Sequence, residues 1–283
     1  MHVFTTNNEL QAHLETERKK GKTVGFAPTM GALHAGHGSL IQAAKAQKDY
    51  VVCSIFVNPT QFNNALDLEK YPRTLSADIE LLETMGCDAL FCPSQTEMYP
   101  QGNQTDLIEF GALETVMEGA HRPGHFAGVA TIVKKLLGVV QPHNLYMGQK
   151  DGQQCAIVAA LLQKTGLDST IKLVVCPTIR QANGLAMSSR NTRLNTQEAQ
   201  DALAIYKSLV FAQKHYQNYT VSQMTEVLGL HFGCYASLKL EYVCFADAQS
   251  LQPVRAWADA AQVSLFVACF VGATRLIDNV RIF

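Results

Sequence analysis

The 283-residue chain has no apolar run long enough to cross a bilayer. The longest, VSLFVACFVGA at 263–273, falls well short of the ~20 residues a spanning helix needs. Its eight cysteines include no C-x-x-C pair and no metal-ligand spacing, so free thiols in a reducing compartment are expected rather than a disulfide framework. Most lie inside apolar runs such as VVCSIF and LFVACFVG, and burial is expected for them. An excess of charge of one sign is also missing. With 23 Lys+Arg against 24 Asp+Glu, no overall field advertises DNA, tRNA or an acidic membrane as a partner. The N-terminal MHVFTTNNEL lacks the basic stretch and apolar core of a signal peptide, and a cytoplasmic location is expected. What is present is globular: 47% hydrophobic and 17% charged residues, in a length that suits one large domain or two ordinary ones.

Short β-branched runs alternate with helical patterns through the first two thirds of the chain. TVGFAPT (23–29), YVVCSIFVN (50–58), ALFCP (89–93), NLYMG (144–148) and IKLVVCP (171–177) read as strands buried on both faces. Between them SLIQAAKAQK, SADIELLETMG, FAGVATIVKKLLGVV and QQCAIVAALLQKTG carry apolar residues at helical spacing. Strand and helix in alternation predict an α/β fold, a Rossmann-like doubly wound parallel sheet over residues 1–178. Beyond 178 the rhythm changes. Helices over 196–217 and 221–232, then strands in LKLEYVCFAD and VSLFVACFVG, predict a smaller α+β C-terminal domain over 179–283.

Ligands of a doubly wound sheet bind beyond the carboxyl ends of its strands. Four polar clusters fall there: PTMGALHAGH, NPTQF, GQKDGQQ and PTIRQANGLAMSSR. The first lacks the lysine and hydroxyl of a Walker A loop, because Gly31 and Gly36 are followed by His37 and Gly38. It also fails the dinucleotide fingerprint, since Gly36-x-Gly38 runs into Ile41. A glycine-rich turn into a helix N-terminus remains, a place that favours an anion. His34 and His37 can donate to such an anion or merely cap the helix, and the pair alone leaves both readings open. A shared metal would need a third ligand that the local sequence does not supply. Lys150 reads as a phosphate neutraliser, with Asp151 orienting it or meeting a ribose hydroxyl, or the two read as a solvated loop. Ser188, Ser189 and Arg190 read as phosphate donors or a hinge, and Asn58 and Gln61 as substrate amides or a tight turn. No G-x-S-x-G elbow and no cysteine in a nucleophile context occurs. Several donors without a nucleophile suit phosphoryl or nucleotidyl transfer, which is catalysed by positioning and charge stabilisation.

H-x-G-H after the first strand run with M-S-S-R downstream resembles the nucleotidyltransferase superfamily that includes class I aminoacyl-tRNA synthetases. Within it, PTMGALHAGHGSLI, SIFVNPTQF, YPRTLSAD, EMYP, RPGHFAGVATIVKKLL, GQKDGQQ, GLAMSSRN and GATRLIDN resemble the pantothenate synthetase (pantoate–β-alanine ligase) family, in its order, over 28–279. The resemblance implies condensation of pantoate with β-alanine through a pantoyl-adenylate, with ATP as substrate, Mg²⁺ as cofactor and a homodimer as the assembly. It places ATP on Met30, Gly31, Ala32, Leu33, His34, Ala35, Gly36 and His37, with His37 as proton donor. It adds Gly148, Gln149, Lys150 and Asp151 to the nucleotide site, Ile179 against the adenine, and Met187, Ser188, Ser189 and Arg190 closing over the triphosphate as part of a lid. His34, His37, Lys150 and Arg190 are thereby the expected catalytic residues. Gln61 and Gln154 would bind pantoate, with Asn58, Tyr71, Arg122 and His125 as further contacts and Asp78 on the magnesium side. The chain departs from the pattern at Ala35, Gly38, Gly152 and Asn183, where Glu, Leu, an aromatic and Asp are common. Gly38 is expected to weaken its helix start by up to ~1 kcal/mol relative to Ala. A different H-x-G-H enzyme and a non-catalytic nucleotide-binding module are the alternative readings.

Overall fold

The computed structural model describes all 283 residues and divides into two compact units. The larger comprises Met1–Phe110, Arg122–Gln149 and Gln154–Pro177. The smaller comprises Gly111–His121, Lys150–Gln153 and Thr178–Phe283. Two short pieces of the earlier chain thus fold with the C-terminal one.

In the larger unit, β1 (His2–Phe4), β2 (Val24–Thr29), β3 (Tyr50–Ile55), β4 (Ala89–Phe91), β5 (Asn144–Gly148) and β6 (Lys172–Cys176) form one parallel sheet in the order β1-β4-β3-β2-β5-β6. Every pairing is parallel, so all six carboxyl ends lie along one edge. The order reverses between β2 and β5, which is the switch point where such sheets open a ligand crevice. Alternation of side chains across the pleat divides the core. Ala27, Val51, Cys53, Leu90 and Tyr146 meet Leu40, Ile41 and Ala44 of the Ala35–Ala46 helix and Leu82 of the Leu75–Thr84 helix. The Asn7–Lys19 and His125–Val140 helices pack on each other, and the latter packs on β2. At the amino ends the buried Asp49 carboxylate accepts from Thr23 (2.7 Å), Asn144 (2.9 Å) and the Tyr146 hydroxyl (2.7 Å). This fixes the mutual register of β2, β3 and β5 by a charge that could not be buried unpaired.

The smaller unit carries β7 (Leu238–Asp247), β8 (Val263–Val271) and β9 (Thr274–Arg281) as an antiparallel sheet, covered by the Leu203–His215 and Val221–Gly233 helices. An ion pair and a buried carboxamide tie in the two earlier segments. Arg275 of β9 reaches Glu118 (2.8 and 2.6 Å), which also accepts from the Tyr242 hydroxyl (2.8 Å). Gln153 accepts from the Glu118 amide (2.9 Å) and donates to the carbonyls of Leu113 (2.7 Å) and Val116 (3.0 Å).

The structure corrects the strand and helix expectations at four places. β6 is an edge strand with Lys172 and Val175 exposed, not one buried on both faces. The 196–217 pattern is two helices, Thr196–Asp201 and Leu203–His215, followed by a 3₁₀ turn. β1 went unseen because three residues cannot show a period. β9 was hidden by Arg275, Asp278 and Asn279, polar residues that the fold buries or half-buries in pairs. At Gly38 the space a Cβ would take is filled by the Met85 thioether.

All eight cysteines are free thiols. Cys53, Cys87, Cys155, Cys176 and Cys269 are buried, whereas Cys234, after the Val221–Gly233 helix, is exposed against the expectation for most of the set. Burial pushes the thiols of Cys87 and Cys269 up to about 12 and those of Cys92 and Cys244 to about 11. Thiolate is the reactive form. Titration of the native chain with a disulfide reagent at pH 8 will therefore show one rapid thiol, lost in Cys234→Ser. The remaining seven will respond only on unfolding.

Candidate active site

Between β2 and the Ala35–Ala46 helix the chain has no ladder partner, so side chains must satisfy its amides. Gly31 and Ala32 take positive φ (80° and 49°), and Ala32 is strained there. The Gly31 amide donates to Thr29 Oγ1 (3.2 Å). Those of Ala32 and Leu33 donate to the two oxygens of Asp78 (3.0 and 2.7 Å). Asp78 is 3% exposed and also accepts from the Thr74 hydroxyl (3.1 Å).

His34 is the helix N-cap. Its Nδ1 accepts from the Gly36 amide (3.1 Å), while the His34 amide donates to His37 Nδ1 (3.3 Å), a reciprocal cap built from two imidazoles. The cap reading and the donor reading of this pair are therefore compatible. An imidazole that accepts at Nδ1 carries its proton, when neutral, on Nε2. Capping thus makes Nε2–H the donor of both rings, whose centroids lie 4.1 Å apart. No carboxylate occupies the first helical turn, so its dipole is left to favour an anionic ligand.

At the end of β3, Asn58 is 1% exposed and wholly engaged by the protein. It donates to Gly128 O (3.1 Å) and Gln61 Oε1 (3.1 Å), and its Oδ1 accepts from the Tyr99 and Thr60 hydroxyls (2.7 and 3.1 Å). Gln61 Nε2 points at Met30 Sδ (3.0 Å). Its backbone carbonyl accepts from His125 Nδ1–H (2.8 Å) and Arg122 (3.3 Å), and the guanidinium donates to His125 Nε2 (3.1 Å). The close approach of the His125–Val140 helix depends on Gly128, because a Cβ there would strike the Thr60 and Gln61 backbone. Tyr71 is buried, edge-on to Phe62. Thr29, Thr60, Thr74 and Tyr99 escaped the sequence reading; for Tyr99, nothing local marks a hydroxyl as the partner of a carboxamide forty-one residues away. Burial raises the Tyr99 hydroxyl, keeping it a neutral donor.

Gly148 ends β5, across the switch point from β2. Gln149–Asp151 forms a 3₁₀ turn, and Gly152–Thr165 follows as a helix that carries Gln154. In the smaller unit Lys150 Nζ lies 3.3 Å from Asp151, which restrains the amine. Ile179 O accepts from the Met187 amide (3.0 Å), closing a hairpin that delivers Ser188–Arg190. Ser188 Oγ accepts from the Arg190 amide (3.3 Å) and caps the Ser189–Arg193 turn, while Ser189 is buried. Lys150, Ser188, Asn191 and Asp278 line one small cavity.

No group of three or more His, Cys, Asp or Glu is placed to hold a metal ion. Both Asp78 oxygens accept from amides of the 31–33 loop, a loop-holding role that stands beside the magnesium-side one expected of it.

These features define a doubly wound nucleotide-binding protein of the H-x-G-H type. The chain belongs to the pantoate–β-alanine ligase family, whose model matches residues 2–281. It is 45% identical over 281 residues to the pantothenate synthetase of Bacteroides thetaiotaomicron, with 99% of each chain covered. The same comparison gives 42% for that of Thermotoga neapolitana, again with 99% of each chain covered. A solved pantothenate synthetase from Thermus thermophilus superposes with a TM-score of 0.93 at 36% identity over the whole of both chains. A Francisella tularensis pantoate–β-alanine ligase complexed with β-γ ATP and β-alanine gives 0.83 at 36% identity, covering 100% of this chain and 98% of that one.

Substituting Asp78→Asn turns one acceptor into a donor facing an amide and should cost about 1–3 kcal/mol of stability. In steady-state assays kcat/KM for ATP should fall while the magnesium concentration for half-maximal rate stays put. A rise in that concentration would favour the magnesium-side role.

Proposed function

We propose that this chain joins pantoate to β-alanine at the expense of ATP, through a pantoyl-adenylate, releasing AMP and pyrophosphate. The observation that carries the reading is the stapled H-x-G-H loop at the switch point of the sheet, in a chain matched almost end to end by the family model. The relative solved with β-γ ATP and β-alanine supports the same two substrates here.

In the first step the pantoate carboxylate attacks the α-phosphorus and pyrophosphate leaves. In the second the β-alanine amine attacks the acyl carbon and AMP leaves. Both nucleophiles come from substrates, which agrees with a chain whose buried thiols are held in the protonated form. What the protein supplies is fixed donors where charge develops. His34 and His37 present Nε2–H without reorganisation because their other nitrogens are committed to backbone amides. Lys150 and Arg190 are assigned to the phosphates, with Gly148, Gln149, Asp151, Ile179 and Met187–Ser189 completing the nucleotide contacts. Magnesium enters as the counter-ion of ATP. Gln61 and Gln154 are assigned to pantoate. Asn58, Arg122 and His125 act on it through the shape they give the Gln61 turn. We further assign the enzyme to the cytoplasm as a homodimer. Its free thiols and the lack of any helix long and apolar enough to cross a membrane accord with the first.

Pyrophosphate release from ATP·Mg²⁺ with pantoate alone should appear as one equivalent per site, becoming steady turnover when β-alanine is added. ATP binding without release under either condition would remove the function. His37→Ala and Lys150→Ala should each lose about 3–4 kcal/mol of transition-state stabilisation, roughly 10²–10³-fold in kcat, with the fold retained by circular dichroism. Near-normal kcat in both would overturn their roles.

A further inference from the structure

The sequence block GATRLIDN carries no assigned role, yet its last two residues, Asp278 and Asn279 of β9, are 3% and 5% exposed. Asn279 Nδ2 donates to the backbone carbonyl of Lys150 (2.8 Å). Asp278 accepts both terminal nitrogens of Arg180 (2.5 and 3.0 Å) and the Asn279 amide (2.8 Å). The same guanidinium donates to Gly184 O (3.2 Å) and lies 4.8 Å over the Tyr206 ring. Arg180 pairs with Ala186 across the hairpin, so this one side chain spans the turn that precedes Met187–Arg190.

Two segments of different origin are thereby fixed on one strand end: the turn at Lys150 and the hairpin leading to Arg190. Lys150, Ser188, Asn191 and Asp278 line one small cavity beside them. A bidentate arginine–carboxylate pair constrains angle as well as distance. A carboxamide that is nearly fully buried and aimed at one particular carbonyl has a single low-energy placement. A family of weak surface contacts would give neither. Neither group can touch the reacting atoms through these bonds, because what they hold is the backbone of Lys150 and the frame of the hairpin.

We propose that Asp278 and Asn279 are positioning residues for the adenylation step, Asn279 acting through Lys150 and Asp278 acting through Arg180 on the Met187–Arg190 segment. This rests on the assignment of Lys150 and Arg190 to the triphosphate. Positioning errors of about 1 Å cost on the order of 10²-fold, so a lost clamp registers in rate before it registers in fold.

The test is a double-mutant cycle on the pantoate-dependent pyrophosphate burst, with thermal unfolding of every variant. Asn279→Ala should slow the burst roughly 10- to 100-fold while leaving the KM for pantoate within about twofold and the protein folded. In a Lys150→Ala background the same change should have less than about twofold further effect, because the residue it acts through is gone. Asn279→Ser, which keeps a shorter donor, should fall between and serves in place of the alanine variant if that one does not fold. Arg180→Lys should raise the KM for ATP more than that for pantoate. A wild-type burst in folded Asn279→Ala, or an undiminished effect of Asn279→Ala in the Lys150→Ala background, would overturn the inference. A wild-type burst in Lys150→Ala alone would instead overturn the assignment of Lys150 on which it rests.

Discussion

Five consecutive or near-consecutive amides, those of Gly31, Ala32, Leu33, His34 and Gly36, run from a strand end into the first turn of a helix and belong to neither ladder. Each finds a side chain: Thr29, Asp78 twice, His37 and His34. An amide buried without a partner costs more than most single contacts return, so this accounting fixes the loop's path, including its left-handed residues. It also fixes the chemistry, since the acceptors His34 and His37 have their tautomers chosen by the same bonds. Structure and reactivity are set here by one constraint.

The smaller unit solves a related problem with charge. Its third strand carries Arg275 and Asp278, each largely shielded from water and each meeting an opposite charge with hydrogen-bonding geometry, Glu118 and Arg180. Replacing both members of such pairs by apolar residues can be neutral, whereas removing one is costly. Their value therefore lies in specifying which segments dock. Glu118 brings in 111–121, and Asn279, beside Asp278, brings in 150–153. Segments separated by more than a hundred residues in sequence become one folding unit through a few directional contacts.

The absence of a nucleophile is consistent with the rest of the molecule. The Cys53 and Cys87 thiols are buried in the core, where desolvation holds them protonated. The carboxylate at the loop, Asp78, is occupied with amides. What the H-x-G-H loop presents is oriented N–H groups and a helix terminus without acidic competition, an arrangement suited to stabilising a phosphate that gains charge and poorly suited to covalent catalysis.

Alternation of β-branched runs with helical periods, glycine punctuation and the H-x-G-H and M-S-S-R segments were legible in the chain itself, because periodicity and turn chemistry are properties of residues within a few positions of one another. They determined the doubly wound class and several of its helices. Strand β9, the engagement of Asp78 with a loop forty-six residues away and the contact of Asn279 with Lys150 across one hundred and twenty-nine were not. A polar residue that reads as solvated in sequence can be a buried partner in the fold, and only the packed chain decides which. The sequence by itself marked which polar clusters follow the strand runs. The tertiary structure decided which of them hold the backbone and which nitrogen of each histidine carries the proton, because hydrogen-bond partners are chosen by proximity in space.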